Sequence, residues 1–395
     1  MAKKSGKRGH GEGTIYQRKD GRWAAQATIG YNDGKPKRVT YYGKTRKEVL
    51  DKLDKARGEM RSGTFAEPSK GTLGEWLYRW LDVYKKPNMR LGTYANYEQS
   101  IRTHITPILG NIPLQSLKPD MLQDFYNQKV ENGRLDGKGG LAPSMVRLFH
   151  KIISGAFKQA VKNRMTTYNP ADAVVLPKME NKEMQVLDRK EVKRYLDVAK
   201  KEKLYVAFLL EMSTGLRRGE LLGLRWQDVD FKARCLTVQQ TLYRVWLVDE
   251  KRSTLTLGEP KTEKSKRTIP LLPTVLMELN AHKVRQDEKK KLMGGAYEKS
   301  DLVFATAIGK PVDPKNLQDT HKKILKRAEL PDVRFHDLRH TFATLMLEQK
   351  EDPKVLQELL GHSKISTTYD VYVKVTTETK AKAIKSLEKI LTGNK

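Results

Sequence analysis

Residues 336–340 read His-Asp-Leu-Arg-His and lie in a stretch, Val333 to Gln349, that we expect to form a helix. His336 and Arg339 are three positions apart, so one helix turns both side chains toward the same site. Histidine can donate or accept a proton, and arginine is a permanent cation. This stretch is therefore the strongest local indication of a chemical site in the chain.

Three further motifs place polar residues in apolar surroundings. Thr214 to Glu220 reads Thr-Gly-Leu-Arg-Arg-Gly-Glu, and Pro260-Lys261-Thr262 precedes a predicted strand over residues 267–271. Leu360-Gly361-His362 comes last and is followed by Tyr372. Along the chain the motifs thus present an arginine, a lysine, a histidine–arginine pair, and a histidine followed by a tyrosine.

This set, in this order, resembles the catalytic domain of tyrosine recombinases, whose pattern is Arg, Lys, His-x-x-Arg, His or Trp, and Tyr. The resemblance covers about residues 185–375. It implies a site-specific DNA recombinase, or integrase, that integrates or excises a mobile element. Four protomers of the family cut and rejoin DNA through 3′-phosphotyrosyl intermediates and a Holliday junction.

The resemblance implies catalytic roles for six residues, Arg217, Lys261, His336, Arg339, His362 and Tyr372. Arginine suits the phosphate because its planar fork donates two hydrogen bonds and keeps its charge while negative charge grows on the phosphate oxygens. Arg218 competes with Arg217, but the family pattern Gly-Leu-Arg-x-Gly-Glu selects Arg217. Glu220 follows three residues later on the same helical face and is expected to hold Arg217.

The remaining roles concern protons and the nucleophile. Lys261 would protonate the leaving 5′ oxygen, with Lys264 and Lys266 close enough to compete for that role. His336 would serve as base or hydrogen-bond donor. Tyr372 must attack as phenolate, although its unperturbed pKa is about 10. The tyrosine ester retains the bond energy of the cut strand, so no ATP, metal or other cofactor is expected.

Tyr369 is the alternative nucleophile, because it lies three residues before Tyr372 and would face a similar direction on a helical turn. The family pattern favours Tyr372, which closes the segment after His362. Asp370 would further disfavour a phenolate at Tyr369, since two negative charges would then approach the phosphate.

Two other classes of function were weighed. His336 and His340 resemble a zinc-binding pair with His362 as a third ligand, but Asp337 stands where a glutamate is usual, and Arg339 between the ligands would repel a cation. A non-catalytic DNA-binding regulator of the same fold would account for the basic charge. Such a regulator has no need for all six catalytic residues.

The N-terminal region predicts a three-stranded meander followed by a helix. Short strand-like runs are separated by Asp20-Gly21 and Asn32-Asp33-Gly34, and Thr45 to Arg61 has helical spacing, with Thr45 and Glu48 as a capping box. Residues 1–62 contain seventeen Lys or Arg and seven Asp or Glu. This surplus of positive charge favours a DNA-binding module, and it resembles the arm-site-binding domain of phage and conjugative-transposon integrases.

The rest of the chain is expected to be helical, then mixed. Leu73 to Leu81 carries an aromatic stripe typical of a helix core, a second helix is predicted from Thr93 to Ile105, ending before Pro107, and Pro119 begins another. Beyond residue 185 the sequence predicts helices, then strands, then helices, with a tail helix at 377–391 that docks on its own domain or on a neighbour.

The fold class predicted is multidomain α+β. Its domains are a sheet-plus-helix arm-binding domain (1–64), a helical core-binding domain (72–178) and a mixed, mainly α catalytic domain (185–395).

Composition agrees with a nucleic-acid partner. The 395 residues include 76 Lys and Arg against 47 Asp and Glu, a formal net charge of +29, and such a protein binds polyanions. The expected partners are double-stranded DNA with core-type and arm-type sites, three further copies of the chain in a homo-tetramer on DNA, and accessory DNA-bending or excision factors. Without a membrane-spanning run or secretory leader, a cytoplasmic location without membrane contact is expected.

Overall fold

A computed structural model describes residues 14–62, 65–66, 71–179, 185–247, 252–260 and 265–362. The chain divides into two compact units, Met1–Asn181 and Lys182–Lys395. Small antiparallel sheets accompany a mainly helical structure, which confirms the α+β class. Within the described ranges, no helix is both long and apolar enough to cross a membrane.

The N-terminal region contains the predicted meander of β1 (Thr14–Gln17), β2 (Trp23–Asn32) and β3 (Lys35–Gly43), paired antiparallel in that order. Asp33 and Gly34 connect β2 to β3 with φ values of +48° and +75°. Two consecutive positive φ values are typical of the tight turn whose twist matches a β-hairpin. The strands are longer than the sequence predicts because β2 and β3 extend to the edge of this turn.

Helix α1 (Arg46–Arg61) covers one face of this sheet, and a small core forms between them from Ala25, Ala27, Val49 and Leu53. The Thr45 side chain accepts a hydrogen bond from the Glu48 amide at 3.2 Å, as expected for a helix N-cap. The Glu48 carboxylate accepts from the amide of Lys44, not of Thr45, at 2.9 Å. The predicted capping box is therefore only half formed.

The second region is helical, with α2 (Leu73–Trp80), α3 (Leu91–Ser100), α4 (Thr106–Leu109), α5 (Pro119–Asn132) and α6 (Pro143–Lys162). Trp76 and Trp80 belong to its core, as the aromatic stripe predicts. The Trp76 indole N–H donates to the Ala156 carbonyl at 3.0 Å, so its only polar group is satisfied where it is buried.

The predicted end of the helix before Pro107 is wrong. After α3 the chain makes a π-helical turn over Ile101–Ile105, and α4 then carries Pro107 in its first turn. The Thr106 amide bonds to the Ile101 carbonyl, which is the longer i to i−5 spacing. Because a first-turn residue has no intrahelical acceptor to reach, the missing N–H of proline costs little there, and the helical path continues.

The second unit is organised around a large apolar core. Its elements are α7 (Arg189–Ala199), α8 (Tyr205–Thr214), α9 (Arg218–Gly223), β4 (Val229–Asp230), β5 (Cys235–Val238), β6 (Thr241–Leu247), β7 (Arg252–Gly258), β8 (Arg267–Pro270), α10 (Pro273–Met293), α11 (Pro314–Arg327), α12 (Phe335–Glu348) and α13 (Pro353–Leu360). Strands β4, β5 and β8 form one antiparallel sheet, and β6 pairs with β7 as a separate hairpin. The predicted tail helix at 377–391 lies outside the described residues.

Helix α8 is the element that fixes the site. It packs against α7, α10 and α12, and residues on most of its circumference are buried. A helix that is apolar all round belongs in a core. Its C-terminal end therefore delivers the Thr214–Glu220 motif to the interior, next to α12 and α13.

Candidate active site

Two helices in this unit end in the same way, and their ends form the floor of the site. Gly215 follows α8 with φ +61°, and Gly361 follows α13 with φ +63°. Glycine adopts this left-handed conformation without the penalty that a Cβ brings. The last carbonyl groups of a helix are left without intrahelical donors and carry partial negative charge, so both ends can accept hydrogen bonds from cations.

Arg339 uses both helix ends. Its guanidinium donates to the Gly215 carbonyl at 2.7 Å and to the Leu360 carbonyl at 2.6 Å, and the residue is only 2% exposed. Burial, then Arg217 and Arg267, lower the pKa of Arg339 to about 9. It therefore stays protonated at neutral pH, held between two sets of carbonyl dipoles.

Arg217 stands beside it at the N-cap of α9. One guanidinium nitrogen donates to the Glu220 carboxylate at 2.7 Å, and another donates to the Gly361 carbonyl at 3.1 Å. The predicted Arg217–Glu220 pair is thus confirmed. Unlike Arg339, the Arg217 side chain is 36% exposed, so part of its donor surface remains accessible to a ligand.

Arg267, at the start of β8, completes the cluster and was missed in the sequence. It donates to the second Glu220 oxygen at 2.9 Å and to the Leu359 carbonyl at 2.5 Å. Glu220 is consequently shared by two arginines. Burial raises the pKa of Glu220, but Arg267 and Arg217 outweigh burial and leave this pKa below its ordinary value.

Glu211, on α8, is the second residue that the sequence did not single out. It is 1% exposed, and its Oε2 has no hydrogen-bond partner among the described residues. Burial raises the pKa of Glu211 well above the usual carboxyl value, against the opposing effect of Arg339. A carboxyl that resists ionisation leaves the three arginines with one strongly charged counterion, Glu220, and hence with surplus positive charge.

The histidines lie around this charge. Burial, His340 and Arg339 lower the pKa of His336 to about 4, although the ring keeps solvent access. Burial, Arg339 and Arg217 lower the pKa of His362 to about 3. Both rings are therefore neutral near pH 7, and a neutral imidazole can accept a proton.

The geometry does not support the zinc hypothesis. His336 and His340 meet edge to face, with ring centroids 5.1 Å apart. Across the part of the chain that the structure describes, no three His, Cys, Asp or Glu side chains are grouped to hold a metal ion.

Of the six predicted catalytic residues, four converge in the described structure. Arg217, Arg339, His336 and His362 come together around the ends of α8 and α13, where Arg217 and Gly361 are 144 residues apart in sequence. Lys261 and its rival Lys264, as well as Tyr372 and its rival Tyr369, lie outside the described residues. Lys266 is described and exposed.

Comparison with known proteins decides the family. A tyrosine recombinase XerC-like protein of Caldanaerobacter subterraneus subsp. tengcongensis is 33% identical over 375 residues, spanning 91% of this chain and 94% of the relative. The chain belongs to the tyrosine recombinase family. The model of the phage integrase family matches residues 185–379 of the recombinase, and an N-terminal SAM-like phage integrase domain matches residues 72–130.

Further relatives and solved structures agree with this membership. The ICEBs1 integrase of Bacillus subtilis is 26% identical, over 91% of this recombinase and 95% of its own length. The integrase of transposon Tn1549, solved with circular intermediate DNA, superposes with a TM-score of 0.65 at 21% identity, over 80% of this chain and 99% of that one. A lambda integrase tetramer bound to a Holliday junction gives 0.54 at 20% identity, over 90% and 94%. These structures share the fold.

The recombinase is thus an enzyme that cleaves and rejoins DNA in site-specific recombination. Its relatives are named as recombinases, integrases and transposases, which favours the enzyme over the non-catalytic regulator.

Proposed function

We propose that this recombinase breaks and reseals a DNA strand through a bond between Tyr372 and the 3′ phosphate, with Arg217 and Arg339 binding the scissile phosphate. The observation that supports this most is the convergence of two arginines and two neutral histidines from three separate motifs. The surplus positive charge of the arginine cluster is suited to a group that gains negative charge during reaction.

The arginines act by electrostatic stabilisation. When an oxygen attacks a phosphodiester, charge accumulates on the non-bridging oxygens, and fixed cationic donors lower the barrier because they need no reorganisation. The helix-end carbonyls fix both guanidiniums in advance. Arg217 retains exposed surface for direct contact, and Arg339 contributes its charge from beneath.

The proposed chemistry balances without a cofactor. The Tyr372 oxygen gives up its proton to a neutral histidine, with His336 as our choice, and bonds to phosphorus. The bond between phosphorus and the 5′ oxygen breaks, and Lys261 supplies the proton that this oxygen takes up. Reversal with a new 5′ hydroxyl reseals the strand, and His362 donates a hydrogen bond to the phosphate while neutral.

The other parts of the chain have proposed roles in DNA binding. We assign residues 1–64 to arm-type sites, 72–178 to core-type sites and 185–395 to catalysis. In support, β1 to β3 expose Arg22, Lys35 and Arg38, and the Tn1549 and lambda integrase structures contain DNA. By analogy with the lambda tetramer on a Holliday junction, four protomers would act together in the cytoplasm, assisted by accessory DNA-bending or excision factors.

The test is single-turnover cleavage of a nicked suicide substrate carrying the core site, in EDTA. Arg217→Ala and Arg339→Ala should each reduce formation of the protein–DNA adduct at least ~100-fold, as expected for one lost charge-stabilising donor. DNA affinity should change little, because many other basic residues contact the backbone. Arg218→Ala is the matched control, one residue away on α9, and should cleave normally. A large loss in Arg218→Ala with little in Arg217→Ala would show that the arginine is wrongly assigned.

A further inference from the structure

Arg267 is the arginine of the cluster that has no proposed contact with DNA. Its side chain is 6% exposed, and all three of its nitrogen atoms donate within the protein. They reach the Glu220 carboxylate at 2.9 Å, the Leu359 carbonyl at 2.5 Å and the Ser265 carbonyl at 3.2 Å. A guanidinium engaged on every side and closed to solvent is poorly placed to bind a phosphate.

Its partners belong to two separate parts of the site. Glu220 accepts from Arg267 on one carboxylate oxygen and from Arg217 on the other. Leu359 lies in the last turn of α13, immediately before the glycine that leads to His362. Arg267 therefore joins the residue that holds Arg217 to the helix end that carries His362.

A single carboxylate between two guanidiniums has little freedom, because each bidentate or paired contact fixes its plane. Without Arg267, Glu220 would be anchored only by Arg217, whose side chain is partly exposed and mobile relative to a buried one. The end of α13 would also lose a cationic donor at its unsatisfied carbonyls. Both changes would loosen the distance between Arg217 and His362.

We propose that Arg267 is a positioning residue for strand cleavage, which fixes Arg217 through Glu220 and sets it at a constant distance from His362 through the end of α13. The inference rests on the proposed role of Arg217. Misplacement of about 1 Å in a catalytic group can reduce the rate by about 100-fold, so a loss of this order is expected when Arg267 is removed.

The experiment measures the single-turnover cleavage rate at saturating core-site DNA, the DNA affinity and the melting temperature for Arg267→Met and Arg267→Lys. Arg267→Met should cleave about 100-fold more slowly with unchanged DNA affinity, and Arg267→Lys should recover part of the rate because it keeps one cationic donor. Arg225→Met is the matched control. Arg225 pairs with Asp228 in the same unit through two hydrogen bonds of 2.9 and 2.8 Å but has no link to Arg217.

A pH profile separates positioning from a general loss of stability. Glu220 faces Arg217, Arg267 and Arg339 as cations and Glu211 as a second carboxyl. Removing Arg267 leaves burial less opposed and raises the pKa of Glu220. Cleavage by Arg267→Met should then fall further as the pH is lowered, whereas Arg267→Met combined with Glu220→Gln should lack this acid limb.

Each result has a distinct meaning. If Arg267→Met cleaves within a few fold of the parent, or loses no more than Arg225→Met at equal melting temperature, the positioning role is wrong. If Arg217→Ala cleaves normally in the same assay, the proposed function fails first. If Arg267→Met does not fold, Arg267→Lys and Glu220→Gln decide: unimpaired cleavage in both contradicts the proposal, and slow cleavage with intact DNA affinity supports it.

Discussion

The helical region and the catalytic unit both bury large side chains, but of opposite character. In the helical region the largest are aromatic, such as Trp80, Phe125 and Phe149. In the catalytic unit Arg339 is among the largest fully buried side chains of the described residues. An aromatic core stabilises a fold by removing apolar area from water, whereas a buried cation lowers stability unless partners offset its lost hydration.

The difference teaches where stability and reactivity are located. The carbonyl groups at the ends of α8 and α13 satisfy the hydrogen bonds of Arg339 and Arg217 but do not cancel their charge. The remaining positive charge attracts a phosphate. Substitutions in the helical core should therefore change stability, and substitutions around the arginines should change cleavage more than stability.

The largest effect on stability should come from Trp80→Ala. Trp80 is 2% exposed, and its ring packs so closely on α6 that a Cβ at Gly155 would lie 3.0 Å from it. Loss of such a buried aromatic side chain costs about 3–5 kcal/mol of unfolding free energy, measured by urea denaturation. The fraction that stays folded should cleave a suicide substrate at the parental rate. A stability loss below about 1 kcal/mol would contradict the described packing.

Gly215→Ala should have an intermediate effect on stability and a strong one on cleavage. Its φ of +61° disfavours any Cβ, and the new atom would lie 2.6 Å from the Phe342 ring. The left-handed conformation alone costs roughly 1–2 kcal/mol, and displacement of the carbonyl that holds Arg339 should slow cleavage. Gly58→Ala is the control, since Gly58 lies in α1 with open space around it; it should raise stability by about 0.5–1 kcal/mol.

The smallest effect tests the unpaired carboxyl. Because burial raises the folded-state pKa of Glu211 above the unfolded value, the unfolded chain loses this proton first as the pH rises. Stability from this group is full below pH ~4.5, near the unfolded pKa, and declines above it. Glu211→Gln should thus melt at a higher temperature than the parent at pH 7, with a difference that shrinks toward pH 4.5. A lower melting temperature at pH 7 would mean that Glu211 is ionised and stabilising.

Local pattern predicted much of the fold. The turn residues Asp33 and Gly34 and the N-cap Thr45 identified the N-terminal sheet and helix, because their conformations depend on their own side chains. The path around Pro107 could not be predicted. Whether a proline ends a helix depends on whether a π-helical turn precedes it, and tertiary packing decides that.

The site shows the same division. The motifs identified Arg217, His336, Arg339 and His362, and the three-residue spacing predicted the contact between Arg217 and Glu220. Arg267 and Glu211 were missed because nothing local distinguishes a buried arginine at a strand start, or a glutamate in an apolar helix, from a solvated one. A charged residue inside the otherwise apolar run of α8 was the available signal for Glu211.

The central claim, that this recombinase forms its covalent bond to DNA through Tyr372, is tested most directly by peptide mapping of the adduct trapped on a suicide substrate in EDTA. The account predicts phosphate on the Tyr372 peptide, no adduct from Tyr372→Phe despite normal DNA binding, and near-parental cleavage by Tyr369→Phe. Phosphate on Tyr369 or Ser366, or an adduct from Tyr372→Phe, would contradict it.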